Sequence, residues 1–174
     1  MWCSRVKPKA KGQPKKYHHE IFVFILKKTR NEVLRADITS VVFIKALENL
    51  HKFHYKGVPF VAWLYRIASN ETNMFFRKAN TQRMVSLDSK EVIAFQDDCD
   101  LDGGLSYEYK ISLFVKGMNR LSEEEVEYLE LKYFEKLSHQ EISYIKDISL
   151  ANAKVKIHRI VKKLKTIIEK IDNE

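Results

Sequence analysis

The stretch 137–165, LSHQEISYIKDISLANAKVKIHRIVKKLK, decides the fold of the second half of this chain. Ser138 and Glu141 have the spacing of a capping box, in which each side chain bonds the backbone N–H group of the other residue and a helix begins. Ser149 stands where a second helix would start, as an N-cap residue. The apolar residues of the first helix end near Asp147. The stretch therefore predicts a short helix, a tight turn and a longer helix, which together form a helix-turn-helix.

The longer helix has two faces of opposite character. Its apolar side is predicted to be buried and consists of Ala153, Ile157, Ile160, Leu164 and Ile168. A helix that enters the major groove needs polar and basic side chains near its N-terminus to reach base edges and phosphates. The candidate DNA-binding residues here are Asn152, Lys154, Val155, Lys156, His158, Arg159 and Lys162. The alternative is a plain helical hairpin whose basic face is only solvated.

The rest of the chain divides into two apolar blocks. With only five Gly and three Pro among 174 residues, the composition favours an all-α fold. We expect a disordered basic tail at 1–16, a helical domain at 17–78, an acidic linker at 79–104 and a second helical domain at 105–174. The second domain contains the helix-turn-helix, preceded by a helix that begins at a second capping box, Ser122 with Glu125.

The first block contains a strongly amphipathic helix that begins after Pro59. Its predicted buried stripe consists of Phe60, Trp63, Leu64, Ile67, Ala68, Met74 and Phe75. The opposite side carries Arg66, Asn70, Asn73 and Arg77, spaced for one polar face. An earlier helix is expected to bury Ile38, Val41, Val42, Leu47 and Leu50. The apolar run Ile21–Leu26 is interpreted as a buried helical segment, because no partner strand is evident.

Charge is distributed unevenly along the chain. The formal net charge is +8, and residues 1–30 alone carry nine Lys or Arg against Glu20. The stretch 146–170 is also basic, whereas 86–108 carries seven acidic residues against Lys90. Basic ends around an acidic middle indicate a polyanionic partner at the ends. A solvated surface with a flexible tail would carry the same pattern.

Two of these segments resemble one protein family. Residues 137–165 are similar to the promoter-reading helix-turn-helix of extracytoplasmic-function (ECF) sigma factors, with matches that include Glu141, Lys154 and Arg159. Residues 60–70, FVAWLYRIASN, closely resemble the F-x-x-W-L-Y-R-I-A-x-N segment of the same family. The two motifs in this order are far more specific than either alone. The resemblance implies a sigma factor that binds core RNA polymerase and promoter DNA and initiates transcription.

The resemblance also implies site residues in the first domain. In the family this domain binds the −10 element and melts the promoter, which requires holding unstacked bases of one strand. The residues assigned to this role are Tyr55, Lys56, Tyr65, Arg66, Asn70, Asn73 and Arg77. Trp63, on the apolar stripe, is assigned to core packing. The helix matching the family's polymerase-binding segment supplies Asp37, Ser40, Val41 and Phe43.

Three features depart from the family pattern. The segment 37–43 reads DITSVVF where the family usually has D-L-V-Q-E-T-F, so Ser40 and Val41 replace Gln and Glu. Asp147 stands at the usual turn glycine, where a left-handed backbone would cost a non-Gly residue roughly 1 kcal/mol. We also expect the family's first helix to be missing, with the basic tail in its place. These departures leave the strength of polymerase binding open.

Other functional classes find little support. Asp98, Asp100 and Asp102 resemble the start of a calcium loop, but its twelfth position is Tyr109 and not Glu. No metal, cofactor or catalytic arrangement is predicted. The longest apolar run has six residues, whereas a membrane-spanning helix needs about 20, so membrane insertion is excluded. The two cysteines lie far apart in the sequence, which fits a protein of the reducing cytoplasm.

Two rival functions remain at this point. One is a helix-turn-helix regulator that never engages polymerase. The other is a degenerate sigma that serves to bind an anti-sigma factor, which is also a possible partner of a functional sigma factor. Co-purification with core polymerase separates the first rival from a functional sigma factor, and promoter-dependent transcription in a purified system separates the second.

Overall fold

A computed structural model describes residues 14–29, 31–55, 57–79 and 106–173. Helices make up most of these residues, and no strand occurs among them. The predicted all-α fold class is therefore confirmed. Most of the expected tail and linker lies outside the described part of the chain.

Seven helices and two short helical turns occur in the described ranges. The helices are α1 (Pro14–Leu26), α2 (Glu32–Glu48), α3 (Phe60–Ala79), α4 (Tyr107–Met118), α5 (Glu123–Leu129), α6 (His139–Lys146) and α7 (Leu150–Asp172). A 3-10 turn, Leu50–Lys52, follows α2. A π-helical turn, Glu130–Phe134, extends α5.

Helices α1, α2 and α3 pack against one another and form the first unit. Ile21, Phe24 and Ile25 of α1 are fully buried, which confirms that the run Ile21–Leu26 is helical and not a strand. The helix begins at Pro14, a residue type tolerated in the first turn because it lacks a backbone N–H group. The first helix thus starts inside the stretch that we expected to be tail.

The buried face of α2 differs from the predicted one. It consists of Arg35, Ile38, Thr39, Val42 and Ala46, which face α1 and α3. The prediction was right for Ile38 and Val42 and wrong for three other residues. Val41, Leu47 and Leu50 are 40%, 72% and 38% exposed, because they lie on the side of the segment that no described helix covers.

Helix α3 is buried over a wider arc than one stripe. Of the predicted set, Leu64 and Ala68 are buried, and the other five are partly buried. The fully covered side also includes Ala62, Tyr65, Ser69, Thr72 and Phe76. The sequence pattern missed this second side because several of these residues are small or polar. Both units cover this side: the Tyr65 ring packs on Phe24 of α1, and Ser69 donates to Glu127 of the second unit.

Helices α4 to α7 form the second unit, in which α4, α5 and α6 all pack on α7. Both predicted capping boxes, Ser122 with Glu125 and Ser138 with Glu141, are present. Ser149 caps α7 by accepting a bond from the Asn152 backbone N–H group at 3.2 Å. The five predicted apolar positions of α7 are all buried.

The two units lie against each other. Helix α6 of the second unit packs along α3 of the first, and the buried apolar residues of both units form one continuous cluster. This packing brings the polar side of α3 next to the helix-turn-helix. The position of each candidate site follows from this arrangement.

Candidate nucleic-acid interfaces

The helix-turn-helix is built by α6, a tight turn and α7. Asp147 ends α6 with φ 56° and ψ 45°, the left-handed conformation expected at the usual turn glycine. Its backbone N–H group bonds the Tyr144 carbonyl, and the N–H group of Ile148 bonds that of Ser143 at 3.0 Å. Asp is one of the few residues that adopts this conformation at moderate cost, so the turn forms without glycine.

The outer face of α7 is open to solvent. Six of its seven candidate residues are exposed, namely Asn152, Lys154, Val155, His158, Arg159 and Lys162. Lys156 is only partly exposed, because its Nζ donates to Glu124 at 2.7 Å and lies 5.1 Å from the Tyr128 ring centroid. The hydrogen bond to Glu124 raises the pKa of Lys156. Lys156 is therefore held by its own unit, whereas the other six face outward.

The polar face of α3 is only partly open. Asn70, Asn73 and Arg77 are exposed. Arg66 instead reaches the second unit, where it donates to the Tyr144 carbonyl oxygen at 3.1 Å and pairs with Asp147 at 3.1 Å. Asn73 also contacts that unit. The face that the sequence treats as a single polar surface is thus divided between solvent and the helix-turn-helix unit.

Tyr65 lies in the interior of this arrangement. Its side chain is 3% exposed, and its ring packs edge-on against Phe24. The hydroxyl donates to Glu135 of the second unit at 2.5 Å. Burial raises the pKa of Tyr65 well above its usual range, and the negative charge of Glu135 adds to the shift. In this arrangement Tyr65 does not present its ring to a nucleic acid.

The loop before α3 carries the remaining candidates for the −10 role. Tyr55 is 75% exposed, whereas Lys56 lies outside the described residues. Trp63 is partly buried, and its ring lies 5.4 Å from Phe53 and 5.3 Å from Phe60. These contacts place Trp63 in an aromatic cluster, in agreement with the packing role expected for it.

The four residues expected to bind polymerase occupy two sides of α2. Asp37, Ser40 and Val41 are exposed, and Phe43 is partly buried. Phe43 stacks on His18 with ring centroids 5.2 Å apart. The outer side of this segment also exposes five large apolar residues: Val33, Val41, Ile44, Leu47 and Leu50. The sequence pattern predicted that three of them, Val41, Leu47 and Leu50, would be buried.

Sequence reasoning missed a cluster of charged residues between the two units. Lys28 has 0% exposure, and its Nζ lies 3.2 Å from Glu127 and 3.5 Å from Glu130. Both glutamates are buried as well, and Glu127 also accepts from Ser69. In the sequence these residues belong to basic and acidic runs that resemble solvated surface. Only their three-dimensional contacts distinguish them.

Two other kinds of site receive no support from the described ranges. Among these residues, no group of three or more His, Cys, Asp or Glu is placed to hold a metal ion. Within the same ranges, every helix is too short or too polar to cross a membrane.

Two family models match this chain. The model described as Sigma-70 region 2 matches residues 15–82, and that described as Sigma-70, region 4 matches residues 113–164. The first match includes nearly all of α1. The expectation that the family's first helix is missing concerns the basic tail, most of which lies outside the described residues. The second match covers the helix-turn-helix and most of α7.

Named relatives agree with these matches. The chain is 26% identical to the ECF RNA polymerase sigma factor SigM of Bacillus subtilis, over 91% of this chain and 94% of that protein. It is 25% identical to RNA polymerase sigma factor SigZ of the same organism, over 88% and 83%. The fold is similar to that of the sigma factor RpoE from Bartonella quintana, which was solved in complex with the anti-sigma factor NepR. The TM-score is 0.58, and the sequences are 19% identical over 89% of this chain and 93% of that one.

The order of the two matched regions is also the order in which the two motifs occur along the sequence. Both motifs lie in α-helices of the kind predicted for them. The chain is therefore an RNA polymerase sigma factor of the extracytoplasmic-function group, which directs the polymerase to its promoters.

Proposed function

We propose that the two units of this sigma factor bind different elements of the promoter. The unit at 17–78 binds core polymerase and the −10 element, and the unit at 105–174 binds the −35 element, with 79–104 as the linker. The matches to sigma-70 region 2 and region 4, in this order, support the division. Polar surface on α3 and basic surface on α7 support it further.

The observation that carries the −35 assignment is the exposed polar face of α7. Asn152, Lys154, His158 and Arg159 lie within the first three turns of a capped helix, where side chains reach base edges in the major groove. Arg and Asn can each form two bonds to one base, and Lys162 lies farther along for a phosphate. Val155 supplies an apolar contact. Lys156 contributes once DNA displaces its bond to Glu124.

The −10 assignment rests on the polar face of α3 together with the loop before it. Asn70 can read the edge of an extruded base, and Arg77 can bind the phosphates of one strand. Tyr55 is exposed and can stack on a base, beside Lys56. The remaining members of this set are Tyr65, Arg66 and Asn73. Tyr65 and Arg66 become accessible when the two units separate, because each contacts the second unit in the arrangement described above. Asn73 is already exposed, and separation releases it from Glu127.

We also propose that the outer side of α2 binds the polymerase clamp. Asp37 is exposed for a basic partner, beside Ser40 and Val41, while Phe43 supports the helix from within. The exposed apolar residues Val33, Val41, Ile44, Leu47 and Leu50 make this side suitable for a protein surface, since exposed apolar patches mark interaction sites. The apolar contacts compensate for the Gln and Glu that this segment lacks.

A charge-reversal variant tests the clamp assignment. Asp37→Lys should reduce co-purification with core polymerase, because it places like charge against a basic partner. Glu169→Lys, which makes the same charge change on the exposed side of α7, serves as the matched control and should bind core normally. Equal core binding by both variants would place the clamp contact elsewhere.

The protein acts by binding and not by catalysis, and we propose that it works in the cytoplasm. An anti-sigma factor is proposed as a third partner besides core enzyme and promoter DNA. The fold relative RpoE, solved with NepR, supports this proposal. Mixing with candidate anti-sigma factors, followed by gel filtration, tests it directly.

Transcription from a purified system tests the proposed function as a whole. Wild-type protein with core enzyme should start transcripts at specific promoters, and permanganate should detect unpaired thymines near −10. A protein that binds promoter DNA but not core enzyme would favour a regulator. A protein that supports no transcription yet binds an anti-sigma factor would favour a degenerate sigma.

A further inference from the structure

The contact between the two units is centred on charged groups that water does not reach. Lys28 and Glu127 are 0% and 1% exposed, and their Nζ and Oε1 atoms lie 3.2 Å apart. The Lys28 ammonium group also lies 3.7 Å from the centroid of the Phe24 ring. Lys28 belongs to the first unit and Glu127 to the second. Neither group would be buried in this way if the units were apart.

The Glu127 carboxylate collects donors from both units. Asn73 and Ser69 of α3 donate to it, the former at 3.2 Å, and Lys146 of the second unit pairs with it at 2.8 Å. A carboxylate held by several donors keeps its charge away from water at a much lower cost. Such a site favours one relative position of the two units, because a shift of one unit along the other would leave a buried charge without its partner.

Further polar contacts surround this centre. Lys27 pairs with Glu135 at 3.2 Å, and Glu135 also accepts from Tyr65. On the other side, Asp147 pairs with Arg66 at 3.1 Å. Asp147 stands where the family usually has glycine, so the residue that strains the turn also supplies an ion pair to the opposite unit. The contacts cover part of the polar face of α3.

We propose that the buried Lys28–Glu127 pair is an interdomain lock that holds the second unit over the polar face of α3, so the free protein must open before that face can bind a single strand. This masking rests on the −10 role proposed for α3. The lock itself does not, since it concerns only the docking of the two units. Polymerase and promoter would then act on a closed form and an open form in equilibrium.

The lock has a definite energetic consequence. While the units are docked, both charges are satisfied by each other and by their neighbours. Removing one partner leaves the other buried with fewer partners, and separating the units restores its hydration. Loss of the Glu127 charge should therefore favour opening more strongly than loss of any exposed ion pair.

The experiment compares two substitutions on the same helix. Glu127→Gln removes the charge of the lock, whereas Glu124→Gln removes the exposed pair with Lys156 inside the second unit. Nitroxide labels at positions 48 and 170, in full-length protein with Cys3 and Cys99 replaced by Ser, report the distance between the units by pulsed electron paramagnetic resonance. We expect a single short distance for wild type and for Glu124→Gln.

For Glu127→Gln we expect the ratio of open to closed molecules to rise on the order of tenfold or more. A wild-type protein that is already open, or a Glu127→Gln variant as closed as wild type, would overturn the proposal. Circular dichroism of the same samples shows whether each variant is folded.

If Glu127→Gln fails to fold, the distance in the wild type still tests whether the free protein is closed, and a second variant tests a neighbouring contact between the same two units. Asp147→Gly removes the exposed pair with Arg66 and relieves a left-handed residue, so it should not harm the fold. It should raise the open fraction only about twofold to fivefold, as expected for an exposed ion pair. Lys136→Gly, at the other left-handed non-Gly residue of the described ranges, is its control. If Asp147→Gly stays as closed as Lys136→Gly, the ion pair takes no part in closure.

The masking of α3 has its own measurement. Phenylglyoxal modifies accessible arginines, and mass spectrometry follows each site. Glu127→Gln should increase the modification rate of Arg66 and leave that of exposed Arg77 unchanged, and the variant should bind a short fluorescein-labelled random single strand more tightly than wild type. If the units separate but strand binding does not change, the lock stands, the masking is wrong and the −10 role of α3 needs revision.

Discussion

The exposed face of α7 and the polar face of α3 look alike in the sequence, but the fold treats them differently. Six of the seven candidates on α7 face solvent, so DNA can approach this surface directly. On α3, Arg66 and Asn73 are bonded to the second unit, and Asn73 is exposed together with Asn70 and Arg77. Polarity shows which side of a helix avoids an apolar core. It does not show whether that side meets water, DNA or another polar surface.

The difference follows from how each helix is packed. Helix α7 buries only its apolar side, against α4, α5 and α6 of its own unit. Helix α3 lies between α1 and α2 on one side and α6 on the other, so little of its circumference is free. A helix in such a position buries polar groups, and these must find hydrogen-bond partners there. The predictions below either break one of the two faces or compare their responses.

The largest effect on stability and DNA binding should come from a cavity on the buried side of α7. Leu164 is fully buried, and removing three of its carbons creates a cavity that costs about 2–5 kcal/mol. Leu164→Ala should thus weaken the second unit and abolish −35 binding, as measured by urea unfolding and by footprinting. Lys162→Ala, two residues away on the exposed side, should leave the unfolding midpoint nearly unchanged. Equal stability of both variants would mean that α7 is not held by its buried side.

On the exposed face of α7, single substitutions should separate base contacts from phosphate contacts. Arg159→Ala should weaken binding to the promoter by about 1–3 kcal/mol, because a base contact is lost. Lys162→Ala should weaken binding to all sequences alike and flatten the dependence on salt. Footprinting on promoter and random DNA distinguishes the two. Unchanged binding by both variants would contradict the groove assignment.

On α3, Asn70→Ala tests the open part of the polar face. Losing one good base contact costs about 1–3 kcal/mol, so open complexes should fall roughly tenfold or more. Binding to core enzyme and to duplex −35 DNA should not change. Folding should also be unaffected, because Asn70 is exposed. Permanganate reactivity at a promoter measures opening, with Lys78→Ala as the control. Normal opening by Asn70→Ala would exclude this residue from strand binding.

The smallest effect is expected at the turn between α6 and α7. Asp147→Gly relieves a left-handed non-Gly residue and should stabilise the turn by no more than about 1 kcal/mol. Loss of the exposed pair with Arg66 offsets part of this gain. Thermal unfolding of the variant and of wild type measures the balance. A fall of several degrees would show that the ion pair matters more to stability than the backbone strain.

The sequence alone determined most of the second unit and the identity of the family. Capping boxes, the N-cap Ser149 and the buried stripe of α7 are local features, since each depends on residues three or four positions apart on one helix. The left-handed turn at Asp147 was also foreseen, because the family that this stretch resembles has its turn glycine at this position. The two motifs, in their order, were enough to indicate an ECF sigma factor.

Only the tertiary structure decided which sides of α2 and α3 are covered. Val41 and Leu47 are apolar but exposed, while Tyr65 and Ser69 are buried because a helix distant in sequence packs over them. The spacing of apolar residues along a helix predicts which side is buried on average. It does not show which other helix packs there, or from which direction.

The buried charges were the hardest feature to foresee. Lys28 lies in a basic run and Glu127 in an acidic one, 99 residues apart, and both look like solvated surface in the sequence. A charge is buried only when partners are brought to it, and these partners come from a different unit. Local sequence therefore determined the helices, whereas the docking of the two units decided which polar residues are surface and which are interior.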